Sequence, residues 1–329
     1  MKKKNIFKVV LVFGVVLALT MLGGLASSAE KGFPNQEIEI VVPYAPGGLL
    51  DLAFRVISDE LSKNFGTPIV IVNKPGGAGM IGTEYVLHSK PDGYTLLAGQ
   101  NSIFVLMPAT QSDLPYKTSD FIPIARYANS PNLLLVRKVA PWKTLEELID
   151  YAKKNPGKLA CGSGGIATVT HFMLEMLKLD AGLDIQHVPF KGGGPGNTAI
   201  LGGHIDLLTS TLPTVHALLK SGDLRGLAIT SENRNAEFPE IPTFNEKGYP
   251  KCSLGLWVGL FAPKGIGKLV PEKISAVLEK TVRTPHVMKK LEEIGFQFDY
   301  AAGEKFAQDI GKEFKIIVDV IKKANLILK

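Results

Sequence analysis

The amino-acid sequence predicts an α/β fold of two lobes joined by two chain crossings. Segments with the pattern of buried strands alternate with segments of helical periodicity, which is typical of largely parallel sheets covered by helices. Glycine-rich loops follow strands in both halves of the chain, and open α/β sheets bind ligands at those strand ends. A late apolar strand at 254–263 follows an irregular stretch at 231–250, which predicts that the chain returns to its first half. We therefore expect one lobe over 30–131 and 253–329 and the other over 132–252.

The first 29 residues have the pattern of a secretory signal peptide. Four lysines within residues 2–8 make a basic start, residues 9–22 are apolar, and small residues at 27–29 suit cleavage. The apolar run is shorter than the about 20 residues of an ordinary membrane-spanning helix. We expect cleavage after about Ala29 and a periplasmic or other extracytoplasmic location, with an uncleaved membrane anchor as the alternative.

Charge and cysteine content exclude several classes of protein. The net charge is +6, but without residues 1–29 there are 33 Lys and Arg against 31 Asp and Glu, a net charge of +2. This balance gives no indication of nucleic-acid binding. The remaining length, roughly 300 residues, is enough for two domains. Cys161 and Cys252 form no CxxC motif, and we favour two separate buried thiols over a disulfide.

Strand and helix patterns can be assigned along the first half. Residues 49–64 carry apolar side chains at three- and four-residue steps, the spacing of one buried helix face, and Gly66 and Pro68 end this helix. Residues 101–106 are expected to open a loop. The other elements of this half are strands at 37–43, 68–72 and 95–99, a short helix from about Thr83 and a turn at 90–94.

The second half repeats this layout without repeating the sequence. Thr144 is a predicted N-cap of an amphipathic helix within 143–158, and two amphipathic helices are expected to close the chain after residue 263. The other predicted elements are strands at 132–136, 158–162, 184–190, 204–212, 225–230 and 254–263, and a helix that follows the glycine-rich turn at 163–165.

Patterns for cofactors and metals are incomplete. Residues 77–82 read G-x-G-x-x-G, but a dinucleotide site also needs an acidic residue about 20 positions later, and residues 99–102 contain none. No P-loop pattern G-x-x-x-x-G-K-[ST] occurs. His204 with Asp206, and the single histidines elsewhere, lack the spacing of metal ligands. We expect no cofactor and no metal.

A nucleophile with a histidine base is the enzymatic alternative. Ser163 lacks the G-x-S-x-G frame of a nucleophile elbow, because residue 161 is a cysteine. An exported hydrolase would use Ser163 or Cys161 as the nucleophile and His171 as the base. His171 lies within a helical pattern, where a capping or packing histidine is more common. The hydrolase alternative is less favoured for this reason, but it is kept open.

Three strand-to-helix junctions favour anion binding, at residues 44–51, 75–83 and 162–170. The first turn of a helix offers N–H groups without partners and a partial positive charge. Glycines let the backbone approach a ligand closely, and prolines keep that approach rigid. Such a site needs no cationic side chain, so the junctions indicate an anion site, although each one alone is also compatible with an ordinary tight turn.

Several motifs resemble one family of receptors. The segments VVPYAPGGLLD, NKPGGAGMIG, GSGGIATVTHFMLEMLK, HVPFKGGGPGNTAILGGHIDLLTSTLPTV and WVGLFAPKG are similar to the extracytoplasmic receptors of tripartite tricarboxylate transporters, the Bug family. The resemblance covers essentially the whole chain after the leader. It implies a two-lobed clamshell of the periplasmic-binding-protein type II fold, a small carboxylate ligand and transporter membrane subunits as partners. It also implies a monomeric receptor without catalytic residues, and a sensor-input protein with the same clamshell is a further alternative.

The resemblance also implies which residues contact the ligand. Leu49 departs from the family, which commonly has small or polar residues there, and it either lines the cleft or packs against the lobe. Asp51, in the first helical turn, is expected to bond helix amides rather than an anion. The implied ligand-binding residues are Tyr44, Pro46, Gly47, Gly48, Gly77, Ala78, Asn101 and Ser102 in lobe one, and Ser163, Thr168, Lys191, Gly192, Gly193 and Ser210 in lobe two.

Overall fold

The computed structural model describes residues 32–190 and 192–325. The predicted signal peptide and the predicted site residue Lys191 lie outside these residues. In chain order the elements are β1 (Ile38–Val42), α1 (Leu49–Phe65), β2 (Ile69–Asn73), α2 (Met80–Leu87), β3 (Thr95–Gln100), α3 (Met107–Thr110), β4 (Phe121–Ser130), β5 (Asn132–Arg137), α4 (Leu145–Lys154), β6 (Ala160–Ser163), α5 (Val169–Ala181), β7 (Gln186–Pro189), α6 (Gly193–Leu201), β8 (Leu207–Thr211), α7 (Leu212–Lys220), β9 (Leu224–Ile229), β10 (Leu256–Pro263), α8 (Leu269–Val282), α9 (Pro285–Glu293), β11 (Gln297–Ala302) and α10 (Gly303–Lys323).

The strands form two sheets, and each sheet mixes parallel and antiparallel pairs. The strand order is β11-β4-β10-β3-β1-β2 in the six-stranded sheet and β7-β6-β8-β5-β9 in the five-stranded sheet. β1 is parallel to β2 and β3, and β6 is parallel to β7 and β8. The chain enters the second sheet between β4 and β5 and returns between β9 and β10. The predicted α/β fold with two crossings is therefore confirmed, while the exact lobe boundaries stay a prediction. The sheets are not largely parallel, because β10 runs antiparallel to β3 and β4, and β5 runs antiparallel to β8 and β9.

Helix α1 shows how apolar spacing becomes packing. Leu50, Phe54 and Ile57 are each at most 2% exposed and belong to the core beneath β1. Gly66 ends the helix with φ +72°, a left-handed conformation that glycine adopts without strain. In the second lobe, Thr144 caps α4 as predicted, because its side chain accepts a hydrogen bond from the N–H of Glu147.

Several elements differ from the sequence prediction. Strands β4 and β11 and helices α6 and α7 were not predicted, and the segment after residue 263 contains three helices rather than two. β4 carries Pro123, Arg126 and Asn129 among its apolar residues, which obscures the alternation of a strand. The expected loop at 101–106 is a π-helical turn, Ser102–Leu106, that leads into α3. Its apolar side chains are buried on all sides, so they show no amphipathic period.

Hydrogen bonds join the two crossings and the C-terminal helix. Asn132 Nδ2 donates to the carbonyl of Leu254 at 2.6 Å, which ties the first crossing to the second. Trp257 Nε1 donates to Glu313 Oε2 at 2.7 Å. Helix α10, which carries Glu313, packs against both β4 and α5, so one helix contacts both lobes. Burial raises the pKa of Glu313 to about 7 despite its hydrogen bonds.

The lobes also touch at the turn between α9 and β11. Gly295 has φ +79° and lies against Pro213, at the start of α7. A Cβ atom at Gly295 would lie 2.6 Å from Pro213 Cγ and 3.0 Å from Pro213 N. Carbon atoms do not approach this closely, so the observed spacing of the lobes requires a glycine here. Within the described ranges, no helix is both long and apolar enough to cross a membrane.

Candidate functional site

The first predicted loop is exposed and ends in an uncapped helix N-terminus. Pro46, Gly47 and Gly48 are exposed between β1 and α1. Gly47 has φ +80°, and Gly48 is the N-cap of α1 without a side-chain hydrogen bond. The first-turn N–H groups of a helix have no acceptor within the helix and carry partial positive charge. This loop therefore presents backbone donors to the solvent side of lobe one.

A buried carboxylate holds the loop in place. Asp51 is 1% exposed, and its Oδ2 accepts from the N–H of Gly47 at 2.9 Å and from Arg55 Nε at 2.8 Å. Its Oδ1 accepts from Asn73 Nδ2 at 2.9 Å, and the same amide donates to the Tyr44 carbonyl at 3.0 Å. Burial alone would raise the pKa of Asp51, but these hydrogen bonds outweigh it, and the pKa lies below its ordinary value. Asp51 thus supports the loop, and its backbone partner is the amide of Gly47, before the N-cap, rather than the helix amides that were expected.

The second loop has an unusual left-handed backbone. Gly76, Gly77, Ala78 and Gly79 all have positive φ, and the N–H of Gly79 donates to the Gly76 carbonyl at 3.0 Å. Alanine rarely adopts φ +55°, the value at Ala78, and such strained residues concentrate at functional sites. Gly77 and Ala78 are exposed. The segment turns its backbone towards solvent at the carboxyl end of β2.

Tyr44 joins the three loops of lobe one. Its hydroxyl lies 3.3 Å from Ser102 Oγ, and a Cβ at Gly79 would lie 3.2 Å from the same hydroxyl. Ser102 Oγ also accepts from Gln100 Nε2 at 2.7 Å. Burial raises the pKa of Tyr44, so its hydroxyl stays protonated and can donate. Tyr44 and Ser102 thus lie together at the strand ends, next to the glycine loop.

Asn101 is placed differently from its neighbour Ser102. Asn101 is fully buried, and its Nδ2 donates to the Gly255 carbonyl at 2.7 Å and to Glu313 Oε1 at 3.0 Å. Its Oδ1 has no hydrogen-bond partner within the described part of the chain. The side chain therefore ties the Ser102 turn to the second crossing, and a ligand contact for Asn101 stays a prediction.

In lobe two, the hydroxyls of Ser163 and Thr168 support their own loop. Thr168 is the N-cap of α5 and accepts from the N–H of His171 at 3.3 Å. It also donates to the Gly165 carbonyl at 2.8 Å. Ser163 is 1% exposed, and its Oγ lies 3.2 Å from both the N–H and the carbonyl of Gly165. The groups left for a ligand are the first-turn amides of α5, beginning at Val169.

The histidine nearest to Ser163 is not the one that the hydrolase alternative required. Ser163 Oγ lies 2.7 Å from His187 Nε2, whereas His171 Nδ1 accepts from the N–H of Ala167 at 3.1 Å. His171 as a base for Ser163 is therefore wrong. Cys161 is fully buried, and burial raises its pKa to about 12, which disfavours a thiolate nucleophile. Cys252 is also a buried free thiol.

The remaining predicted residues of lobe two lie at the start of α6 and near the carboxyl end of β8. The N–H of Gly192 donates to the Gly164 carbonyl at 3.0 Å, and a Cβ at Gly193 would lie 3.0 Å from Thr214 Cγ2. Ser210 Oγ lies 2.7 Å from Thr214 Oγ1. Thr214 was missed by the sequence reasoning, although its position three residues after the end of β8 was a signal. The loops after β6, β7 and β8 thus meet at one edge of the sheet.

The part of the molecule between residues 32 and 325, Lys191 apart, contains no group of three or more His, Cys, Asp or Glu residues that could hold a metal. Each lobe instead gathers its loops at the carboxyl ends of parallel strands, with glycines, hydroxyls and helix N-termini directed there. Two such lobes with two crossings define a solute-binding receptor of the periplasmic-binding-protein class.

Comparison with known proteins gives the family. The family model of the tripartite tricarboxylate transporter family receptor matches residues 53–326, and the chain belongs to this family. A protein in the gbd 5' region of Cupriavidus necator is 33% identical over 323 residues, 95% of this chain and 96% of that protein.

Two solved structures of Rhodopseudomonas palustris proteins are similar throughout. MatC with bound malate is 30% identical with a TM-score of 0.72 and covers 88% of this chain and 100% of its own. A second protein, solved with adipate, is 29% identical with a TM-score of 0.76 and covers 89% of this chain and 98% of its own. The receptor resemblance expected from the motifs is therefore confirmed.

Proposed function

We propose that this protein is an extracytoplasmic receptor that binds a small dicarboxylate between its lobes and delivers it to a tripartite tricarboxylate transporter permease. The observation that carries the proposal is the pair of amide-rich loop clusters, one at the strand ends of each lobe. The segments 44–48, 76–79 and 163–170 contain no Lys or Arg, so backbone N–H groups and hydroxyls are the donors in these three segments. The malate and adipate bound to the two similar structures support a dicarboxylate.

Each lobe would hold one end of the ligand. The N-terminus of α1 and the Tyr44–Ser102 hydroxyl pair would receive one carboxylate, and the N-terminus of α5 would receive the other. A ligand shifts a conformational equilibrium only through contacts that differ between the two states, so a ligand held at both ends favours the closed clamshell. Leu49 packs against the core of lobe one, and we do not assign it to the ligand.

No chemical step is needed in this proposal. Ser163 is buried, its hydroxyl is engaged by its own loop, and burial lowers the pKa of the adjacent His187 to about 4. A general base works best with a pKa near the operating pH. The bound ligand is therefore expected to leave the protein unchanged.

The test is a thermal-shift and calorimetric titration of residues 30–329 with malate, adipate and tricarboxylates. The dimethyl esters of malate and adipate are matched neutral controls. A ligand at 100 times its Kd raises the free energy of unfolding by roughly 2.7 kcal/mol, which gives a clear rise in Tm. Mass spectrometry should recover the ligand intact at one per monomer. Stabilisation by the esters but not by the acids, or turnover of the ligand, contradicts the proposal.

Localisation and assembly belong to the same proposal. We expect export with cleavage after about Ala29, a monomeric mature protein and contact with the permease through the liganded, closed form. N-terminal sequencing of the exported protein and light scattering measure the first two directly. Pull-down by the permease in the presence and absence of ligand measures the third.

A further inference from the structure

Two histidines lie face to face beneath the glycine-rich loop of lobe two. The ring centroids of His171, on α5, and His187, on β7, are 4.0 Å apart, and the ring planes differ by 10°. His171 is 4% exposed. The ligand site proposed above uses neither ring directly, although both rings contact the loop 163–168, which precedes α5.

Each ring holds one end of the loop. His171 Nδ1 accepts from the N–H of Ala167 at 3.1 Å, so this nitrogen carries no proton and the neutral ring carries its proton on Nε2. That Nε2 faces Glu175 Oε1 at 3.8 Å. His187 Nε2 lies 2.7 Å from Ser163 Oγ. The pair therefore contacts the first and the next-to-last residue of the segment 163–168.

This segment needs support because its backbone is strained. Ala167 has φ +58° and Gly165 has φ +136°, and the left-handed region is unfavourable for alanine. Between the two supported positions, Ile166 is exposed. A loop in this shape directly precedes the N-cap Thr168, so its shape sets the direction in which the first amides of α5 point.

Burial keeps both rings neutral, and the nearby Lys178 adds to this effect. Glu175 and Lys178, both on α5, form an ion pair at 2.9 Å next to the stack, and Cys161 on β6 pairs with His187 in the sheet. Burial lowers the pKa of His171 to about 3, with further lowering by His187 and Lys178. Burial and Lys178 lower the pKa of His187 to about 4. The hydrogen bond to Ala167 is therefore kept across the physiological range of pH.

We propose that His171 and His187 are positioning residues of the ligand site, a stacked neutral pair that holds Ala167 and Ser163 and so aims the first-turn amides of α5 at the ligand carboxylate. The part that concerns the ligand rests on the proposed function. The part that concerns the loop does not, and the two are tested separately.

The loop is tested by amide hydrogen exchange without ligand. His171→Phe keeps an aromatic ring in the stack and removes the acceptor, whereas His171→Asn keeps an acceptor at the reach of Nδ1. Losing one hydrogen bond typically corresponds to about a tenfold change in a local opening equilibrium. We expect the Ala167 amide to exchange about tenfold faster in His171→Phe and to recover in His171→Asn. Unchanged exchange of Ala167 in His171→Phe overturns the proposal.

Ligand positioning is tested with malate and adipate as probes. His187→Phe should weaken the affinity by about fivefold to tenfold, as expected for one lost hydrogen bond, and His187→Gln, which keeps a polar group at the reach of Nε2, should restore it. Adding Ser163→Ala to His187→Phe should weaken binding by less than the sum of the two single losses, because the two residues share one hydrogen bond while Ser163 also bonds Gly165. The exposed His204, replaced by Gln, is the control.

The two failures are distinguishable. If neither probe binds the unmodified protein, the proposed function fails for these ligands and the exchange experiment alone decides the role of the pair. If the probes bind and His187→Phe binds them as tightly as the unmodified protein, or if the losses from Ser163→Ala and His187→Phe add up, the positioning role is wrong.

Discussion

Replacing Gly295 by alanine should hold the two lobes apart. The added Cβ would lie 2.6 Å from Pro213 Cγ and 3.0 Å from Pro213 N. Contacts of this kind need about 3.4 Å or more, so the turn between α9 and β11 must move away from α7 by roughly 0.8 Å. Both partners are stiff, because one is a proline ring and the other is backbone. The least costly response is a small rotation of one lobe about the two crossings.

The magnitude follows from two separate costs. Alanine in the left-handed region costs about 1–2 kcal/mol relative to a glycine, and this cost lowers overall stability whatever the lobes do. Overpacking typically costs about 1–3 kcal/mol, and here opening the lobes relieves it. The closed state then loses about that much relative to the open state, which weakens ligand binding by about fivefold to 150-fold.

Gly66→Ala is the matched control. Gly66 has φ +72° at the end of α1, and nothing lies within 4 Å of an added Cβ. This variant therefore places an alanine in the left-handed region without a steric clash. Isothermal titration with malate and adipate, together with small-angle scattering, should show weaker binding and a larger radius of gyration for Gly295→Ala alone. If the two variants lose equal stability and bind ligand equally well, the contact with Pro213 does not limit closure.

Three further predictions concern other parts of the molecule. Gly48→Val should weaken carboxylate binding more than Lys191→Ala, because we expect backbone amides rather than a lysine to bind the ligand; titration of both variants showing the reverse order contradicts the amide mechanism. Glu313→Gln should reduce the pH dependence of the free energy of unfolding. The pKa of this carboxyl is raised to about 7 in the folded state. Its contribution to stability is therefore full below the unfolded pKa of about 4.3 and is lost as the pH rises through 7. Chemical denaturation at pH 5 and pH 8 should therefore show a smaller difference in the variant. Cys161 and Cys252 are buried free thiols and should react with a thiol reagent only after unfolding, and a reaction of either thiol in the native protein contradicts their burial.

The sequence predicted the fold wherever one local signal decided the structure. Helix α1 could be predicted because Leu50, Phe54 and Ile57 share one face and because the helix ends at Gly66. Strand β4 was not readable, because its pairing with β10 and β11 stabilises polar positions such as Asn129 that break the alternation. Tertiary contacts outweighed the local pattern there.

The sequence predicted which loops form the candidate site, but it did not predict which atoms in those loops contact one another. Glycines and prolines marked each strand-to-helix junction, and the structure places them at strand ends. The partner of Ser163 could not be read from spacing, since His187 lies on a neighbouring strand and His171 lies closer in the chain. Likewise the burial of Asn101 depends on Glu313, far away in the sequence.

The position of β10 constrains the order in which the molecule can form. This strand lies between β3 and β4, yet more than 120 residues separate it from β4 along the chain. The N-terminal strands therefore cannot complete their sheet until the whole second lobe has been synthesised, whereas the second sheet is made of one continuous segment. Domains generally fold as units during synthesis, so the second lobe is complete first. Throughout that interval the edges of β3 and β4 that pair with β10 have no partner, and unpaired strand edges favour aggregation of the newly made chain.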